Sequence, residues 1–313
     1  MVFKKALVTG GAGFIGSHIV ETLLKESIEV VVLDDLSMGC RENIPSDIQI
    51  IEADILDENQ LKLALEGVDV VFHEAARVSI RNSVTQFYTD AQINIMGTLN
   101  LLKKLSESRV KKLIYASSMA IYGEAKVLPI AENHPLHPNS PYGISKMAGE
   151  KYCLELGKAM GIEVVALRYF NTYGIRQTLT PYVGVITIFI DRLLDGRSPV
   201  VFGNGEQIRD FVSVKDVAKA NILAMKGDYS GEVFNVGSGE GTTVNHLADL
   251  LVGYLNSNMI KEYAQKKPGE PGDSIADISK IRKVMGFEVK YRLKDEIPYI
   301  IEWINGKREK GAK

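Results

Sequence analysis

The sequence predicts an α/β protein wound doubly around a parallel sheet. Three observations carry that prediction: apolar runs too continuous for half-exposed strands, helix-period segments alternating with them, and a glycine-rich turn straight after the first run. The runs are Lys5–Val8, Val30–Leu33, Ile48–Ile51, Val68–Phe72, Lys112–Ala116 and Val164–Leu167. Between them lie Ile15–Lys25, Glu58–Leu65, Val84–Leu105 and Tyr142–Met160, read as helices. After about Tyr173 the pattern loosens. A helix at Val185–Leu194, a helix at Val214–Met225 and a strand at Val233–Val236 read as a partial return to the sheet. The expected division is a cofactor-binding unit, residues 1–175 plus about 212–237, and a smaller mixed α/β region, about 176–211 and 238–313, that binds substrate.

The 313 residues are 45% hydrophobic and 24% charged, an ordinary globular composition that allows one large domain or two packed ones. A net charge of -2 gives no electrostatic reason to expect nucleic acid or an anionic membrane as partner. No apolar stretch approaches the roughly 18 residues that span a bilayer, and no signal peptide is expected ahead of the first strand. Cys40 and Cys153 alone do not make a disulfide framework and suit a reducing cytoplasm. With five histidines and no clustered cysteine, a metal site is not expected; His134 and His137 are kept from forming a helical pair by Pro135 and Pro138. Lys103-Lys104 and Lys111-Lys112 read as complements to a helix dipole, and Asn305–Lys313 as a frayed, solvated end.

The first strand runs into Gly10-Gly11-Ala12-Gly13-Phe14-Ile15-Gly16 and then a helix. Glycines at 10, 13 and 16 allow a tight turn, close backbone approach to a pyrophosphate, and close helix packing. The helix start offers N–H groups and positive dipole to the phosphates. A lone glycine triplet is weak, but strand, turn and helix are all in place, and the second strand ends in Asp34-Asp35. A carboxylate there accepts from ribose hydroxyls and repels a 2′-phosphate, so the expected cofactor is NAD, on a Rossmann-type sheet. Asp54 follows the third strand and has two readings: a contact to the adenine, or the cap of the helix that starts near Asp57.

The fifth strand ends in Ser117-Ser118. Ser140 and Pro141 then start a helix that carries Tyr142 and Lys146 one turn apart on one face. An ammonium beside a phenol favours the phenolate, as does an oxidised nicotinamide, so Tyr142 is expected to have a lowered pKa and to act as general base. Tyr-x-x-x-Lys alone reads equally well as an exposed helix face.

Taken in order, the glycine turn, Asp34, the serine pair and Tyr-x-x-x-Lys resemble the extended short-chain dehydrogenase/reductase family over nearly the whole chain. Relatives that dehydrate or decarboxylate nucleotide sugars carry carboxylates after the fifth strand, where this chain has Met119 and Ala120. What remains is similar to the nucleotide-sugar 4-epimerases. That resemblance implies a UDP-sugar substrate (UDP-glucose and UDP-galactose), inversion at C4 through a transient 4-keto sugar, and a resident NAD. It assigns Ser118, Tyr142 and Lys146 as the catalytic set. It assigns Gly10, Gly13, Phe14, Ile15, Gly16, Asp34, Asp35, Ser37, Asp54, Ile55, Glu74, Ala75, Ala76, Asn94 and Tyr169, with Tyr142 and Lys146, to the cofactor. The substrate falls to Ser79, Asn171, Val185, Val201, Phe202, Arg209, Lys267, Glu270 and Ser274, beside Ser118 and Tyr142.

Two departures from the family pattern stand out. Lys267-Pro268-Gly269-Glu270 replaces a stretch that usually begins with Arg, and a lysine offers a point charge in place of a bidentate fork. Ser274 stands where a bulky Tyr limits some relatives to unsubstituted sugars, which leaves room for an N-acetyl group. The resemblance also implies a homodimer through the helices Val84–Leu105 and Tyr142–Met160. Two further readings stay open: a UDP-glucuronate 4-epimerase or other nucleotide-sugar oxidoreductase, and a non-catalytic NAD(H)-binding regulator.

Overall fold

Valine- and isoleucine-rich runs that leave no polar face end up inside one sheet, as their composition requires. The computed structural model describes residues 3–178, 184–255, 258–265 and 272–311. The strands in chain order are β1 (Lys5–Thr9), β2 (Glu29–Asp34), β3 (Gln49–Glu52), β4 (Val70–His73), β5 (Lys112–Ser118), β6 (Glu163–Tyr169), β7 (Asn171–Tyr173), β8 (Val200–Phe202), β9 (Ile208–Ser213), β10 (Val233–Val236), β11 (Gly241–Thr243) and β12 (Glu262–Ala264). The helices are α1 (Phe14–Lys25), α2 (Glu58–Ala64), α3 (Ile80–Thr85), α4 (Phe87–Ala91), α5 (Thr98–Leu105), α6 (Pro141–Met160), α7 (Val185–Leu194), α8 (Val214–Lys226), α9 (Val244–Tyr254), α10 (Ser279–Met285) and α11 (Leu293–Gly311).

Seven strands form one sheet in the order β10-β6-β5-β4-β1-β2-β3, every pair parallel. Successive side chains of each strand feed opposite faces: Val8 joins one buried cluster with Ile19, Phe72, Val217 and Phe234, and Leu7 joins another with Leu61, Leu101 and Leu113. The strand order reverses between β1 and β4, so a crevice opens beyond their C-terminal ends. Two small sheets, β11-β9-β7 and β12-β8, lie on the substrate side. A third cluster, including Tyr173, Phe189, Val201, Leu247, Ile300 and Ile304, joins them to α7, α9 and α11.

Three expectations need correction. Val84–Leu105 is not one helix. It is divided into α3, α4, a π-helical stretch at Gln92–Gly97, and α5. The side chain of Asn94 sits in that stretch and bonds to other segments, which is where a π insertion is commonly found. Lys112 is buried and complements the end of a helix other than the one it follows. Its ammonium reaches the carbonyls of Met225 (3.2 Å) and Gly227 at the end of α8, and Glu163 at 2.9 Å. Asn305–Gly311 continues α11 as helix, with Arg308 pairing with Asp191 and Asp195 of and beside α7, and residues 312 and 313 of the expected tail lie outside the described residues.

The segment after β7 crosses back over α1. His18 Nε2 meets the Ile175 carbonyl at 3.2 Å, Arg176 pairs with Glu21, and Thr178 donates to the Met38 carbonyl at 3.1 Å. Burial holds the His18 pKa down to about 4, so the ring is neutral and its Nε2 is the donor. Among the described residues no helix is long and apolar enough to cross a membrane, and no cluster of His, Cys, Asp or Glu is placed to hold a metal ion.

Candidate active site

The turn after β1 is bare backbone because side chains do not fit there. Gly10 has φ +67°, and a Cβ on it would lie 2.7 Å from the Ala75 nitrogen, at the end of β4. A Cβ on Gly16 would run into the Gly10 carbonyl. Gly13 N–H donates to that carbonyl at 3.1 Å, and α1 then begins with no side-chain cap. The first-turn N–H groups and positive dipole of α1 therefore face the crevice, with Phe14 and Ile15 half-buried beside them. These features fit a dinucleotide pyrophosphate.

Asp34 ends β2 and is buried. Its Oδ2 accepts from Ala12 N–H and its Oδ1 from Leu36 N–H, both at 2.9 Å, and burial raises its pKa. Asp35 holds Ser37 through both its N–H and its hydroxyl. The two readings of Asp54 separate. Asp57 caps α2 by accepting from Asn59 and Gln60, whereas Asp54 accepts from Leu56 N–H within its own loop. Capping by Asp54 is therefore excluded. Ile55 is a core residue, packed under Gly97 with its side chain in the core.

A hydrogen-bonded chain ties the crevice walls together. Thr98 donates to the Asn94 carbonyl at 2.7 Å, so its oxygen accepts from His73 Nε2 at 3.0 Å. His73 Nδ1 then accepts from the Thr9 hydroxyl at 2.8 Å, and Thr9 accepts from Ala75 N–H at 3.3 Å. Burial holds His73 near 3, which keeps it neutral and makes this tautomer the one that satisfies every partner. No spacing in the sequence signals a contact that joins residues 9, 73 and 98.

Ser118, the last residue of β5, accepts from Ala120 N–H at 3.2 Å and lies near enough to the Tyr142 hydroxyl to favour its ionisation. The local cause of this meeting is the α6 start: Ser140 caps Gly143 N–H at 3.1 Å and Pro141 takes the first helical position. Tyr142 N–H also donates to Ser83 at 3.1 Å. Met119 and Ala120 are buried behind Ser118 and bring no carboxylate. The expected lowering of the Tyr142 pKa is corrected. Burial pushes it up to about 12; Ser118 works against this, and the charges of Asp90 and Glu74 add to it. Lys146 is drawn to another ring. Its ammonium lies over the Tyr115 ring, 4.6 Å from the centroid, and burial lowers its pKa to about 8.

Several expected cofactor residues are tied to protein groups. The Asn94 side chain bonds Arg77 N–H at 2.8 Å, the Arg77 carbonyl at 3.0 Å and Ser145 at 3.0 Å, fixing the loop after β4 to α6. Tyr169 donates to Glu74 at 2.8 Å and accepts from Asn221 at 2.8 Å. Ala75 and Ala76 are half-buried beside Gly10. Sequence reading missed a buried ion pair between β6 and α6. Arg168 holds Glu150 through Nη2–Oε1 (2.6 Å) and Nε–Oε2 (2.9 Å), and Ser117 donates to the same carboxylate at 2.6 Å. Glu150 lies one turn beyond Lys146, which is the only hint the sequence offers.

On the sugar side, Asn171, Arg209 and Ser274 come together. Ser274 bridges Arg209 by backbone pairing and accepts from Asn171 at 3.4 Å. Arg209 donates to the Gly272 carbonyl at 2.7 Å, and Asp210 accepts from Ser238 N–H, Gly239 N–H and Ala276 N–H between 2.7 and 3.0 Å. Ser274, expected at the sugar wall, is buried, with its hydroxyl turned to Asn171. Val201 is likewise in the core, paired through its backbone with Tyr263 of β12. Ser79 caps α3 through Asn82 N–H at 3.1 Å. Val185 and Phe202 are half-buried, and Arg81 lies over the Phe202 ring at 5.1 Å. Lys267 and Glu270 fall outside the described residues.

Comparison with known proteins decides the family. The model of the NAD-dependent epimerase/dehydratase family matches residues 6–237, more than half of the chain. The chain belongs to this family. Among solved members of the family, a UDP-glucose 4-epimerase from Thermotoga maritima, determined with UDP-glucose, is 40% identical with a TM-score of 0.93, covering 97% of this chain and 99% of its own. A UDP-N-acetylglucosamine 4-epimerase from Methanobrevibacter ruminantium, determined with UDP-N-acetylmuramic acid, is 38% identical with a TM-score of 0.93, over 98% and 100%. A UDP-glucose 4-epimerase from Thermus thermophilus, determined with NAD, is 36% identical with a TM-score of 0.91, over 96% and 99%.

Proposed function

We propose that this chain is an NAD-dependent epimerase that inverts C4 of UDP-sugars, taking UDP-glucose and UDP-galactose and their N-acetyl forms. The observation that carries the reading is that Ser118 and Tyr142 are brought together at the crevice, beside a bare glycine turn and with no carboxylate at 119 or 120. Gly10, Gly13 and the first turn of α1 hold the NAD pyrophosphate, and Asp34 its adenosine ribose. NAD bound there supplies a hydride acceptor that returns the same hydride.

Tyr142 takes the proton from the sugar 4-hydroxyl and later gives it back to the oxygen presented from the opposite face. Ser118 holds the phenol and the sugar oxygen in line. Burial of Tyr142 and Lys146 excludes water while the sugar is at the 4-keto stage. The high resting pKa of Tyr142 has a physical consequence: the proton transfer needs the positive charge of oxidised nicotinamide nearby, so the base is active only when the cofactor is ready. Asn171 and Arg209 hold the diphosphate. With serine at 274, no ring protrudes against a 2-acetamido group. The decisive assay is Tyr142→Phe with UDP-galactose and UDP-N-acetylgalactosamine, products separated; near wild-type turnover would refute the assignment.

The chain also carries an apolar surface that suits a second copy. Val84, Phe87, Tyr88 and Met96 are 57, 62, 74 and 50% exposed, and α6, packed against α4, adds Ile144, Tyr152 and Leu156. A homodimer burying this face follows. Sedimentation equilibrium is expected to return twice the chain mass; a monomer would contradict it.

A further inference from the structure

A lysine carries its charge on a flexible stem, and a buried ammonium needs a neighbour that favours that charge. Lys146 finds a ring. Its ammonium lies against the face of Tyr115, 4.6 Å from the centroid, and among the described residues no carboxylate is within hydrogen-bond distance of it. The same tyrosine grips the other end of Lys146: its hydroxyl donates to the Lys146 carbonyl at 3.3 Å. Both side chains are buried. The ring sits in a slot. Tyr115 stands in β5 opposite His73 of β4 and the small Ala166 of β6. The His73 ring packs on it at 5.8 Å, and a Cβ on Gly149 of α6 would run into its hydroxyl. A glycine at 149 is what lets α6 settle this close to the ring.

We propose that Tyr115 is a positioning residue: its ring face holds the Lys146 ammonium in place and charged, and its hydroxyl anchors the turn of α6 from which Lys146 springs. The proposal rests on the epimerase reading for its turnover arm alone. The face of an aromatic ring is the negative side of its quadrupole, so it favours the ammonium over the neutral amine, and more strongly where water is excluded. Burial raises the Tyr115 pKa, so its hydroxyl keeps its proton and remains a donor. Other groups also face Lys146. Glu74 after β4 and Asp90 of α4 favour its charge, and His73 of β4 is neutral. Glu150, Cys153 and Tyr142 share its helix, with Glu150 taken up by Arg168 and Ser117. The ring of Tyr115 is the group in contact with the ammonium.

The two contacts separate by substitution. Tyr115→Phe keeps the face and loses the hydroxyl; the Lys146 carbonyl still has its helix partner, so kcat falls by up to about threefold. Tyr115→Leu keeps apolar bulk and loses the face, so kcat falls by about tenfold and the Lys146 titration midpoint moves to lower pH. Mono-, di- and trifluorinated phenylalanines at position 115 hold the shape nearly constant while fluorine drains the negative face. Along that series the Lys146 midpoint and kcat should fall step by step from the Tyr115→Phe values, reaching a loss of about tenfold in kcat with the trifluorinated ring.

The test reads the whole protein, labelled with carbon-13 lysine, the Lys146 signal being the one absent from Lys146→Arg. In the wild type and in Tyr115→Phe the ε-methylene protons of Lys146 should be shifted upfield by the ring current; in Tyr115→Leu they should return to the ordinary lysine position. The fluorinated series should move the midpoint and kcat together while the melting temperature holds. A tyrosine that only fills space would leave the midpoint and kcat level along the series, and that result overturns the proposal. So does a Lys146 signal without an upfield shift in the wild type. Should Tyr115→Leu fail to fold, the fluorinated series still decides. The NMR readouts need no turnover, so an absence of epimerase activity in the wild type would defeat the functional reading and leave them standing.

Discussion

At the cofactor cradle, groups that meet in space are mostly close along the chain. Gly10, Gly13 and Gly16 fall within one turn, and Asp34 reaches back 22 residues to Ala12. On the sugar side, Asn171 meets Ser274 across 103 residues, Arg209 meets Gly272 across 63, and Asp210 meets Ala276 across 66. The cradle is made by excluding side chains from a local turn. The sugar side is assembled by backbone bridges between distant loops. A cradle of the first kind tolerates almost no added atom, whereas a wall of the second kind tolerates changed side chains as long as its bridges hold.

Three substitutions press on that difference, the strongest first. Tyr142→Phe lies between the two regions and touches neither framework. It should cost about 10²–10⁴-fold in turnover, with NAD content and melting temperature unchanged. Gly10→Ala attacks the cradle. A left-handed alanine and a methyl against Ala75 N–H should cost about 2–5 kcal/mol, and bound NAD should fall below a tenth of the wild-type amount, read as nucleotide released on denaturation. Asp210→Ala attacks the bridges. Leaving Ser238, Gly239 and Ala276 N–H groups without their acceptor should cost about 2–3 kcal/mol in urea unfolding. UDP affinity by calorimetry should weaken several-fold while NAD content holds. Equal loss of NAD in Gly10→Ala and Asp210→Ala would erase the distinction between the regions.

The same contrast explains which features are legible in the amino-acid sequence. The parallel sheet is legible because each strand is apolar throughout, and α6 because Ser140, Pro141 and Gly161 mark both of its ends. Tyr142 and Lys146 are legible as a pair on one helix. Their electrostatics are not, because Lys146 turns to Tyr115 and Glu74, which come from other strands. The division of Val84–Leu105 is hidden for a related reason. No proline interrupts it, and Gly97 serves close packing on Ile55; the π-helical stretch goes with Asn94 bonding to Arg77 and Ser145, contacts that no local pattern announces. Ser274 is found by position, but its burial and its bridge to Arg209 come from pairing between distant loops that no local pattern announces.

The strap at residues 175–178 carries one more consequence. It fastens to His18, Glu21 and Met38, partners 140 to 157 residues earlier in the chain. A growing polypeptide therefore possesses its glycine turn and α1 long before it possesses the piece that fastens α1 to the loop after β2. During synthesis α1 is unstrapped on that side, and it is fastened only when the second half of the protein has emerged and folded back. The seating of that helix thus has an order in time as well as a place in the fold.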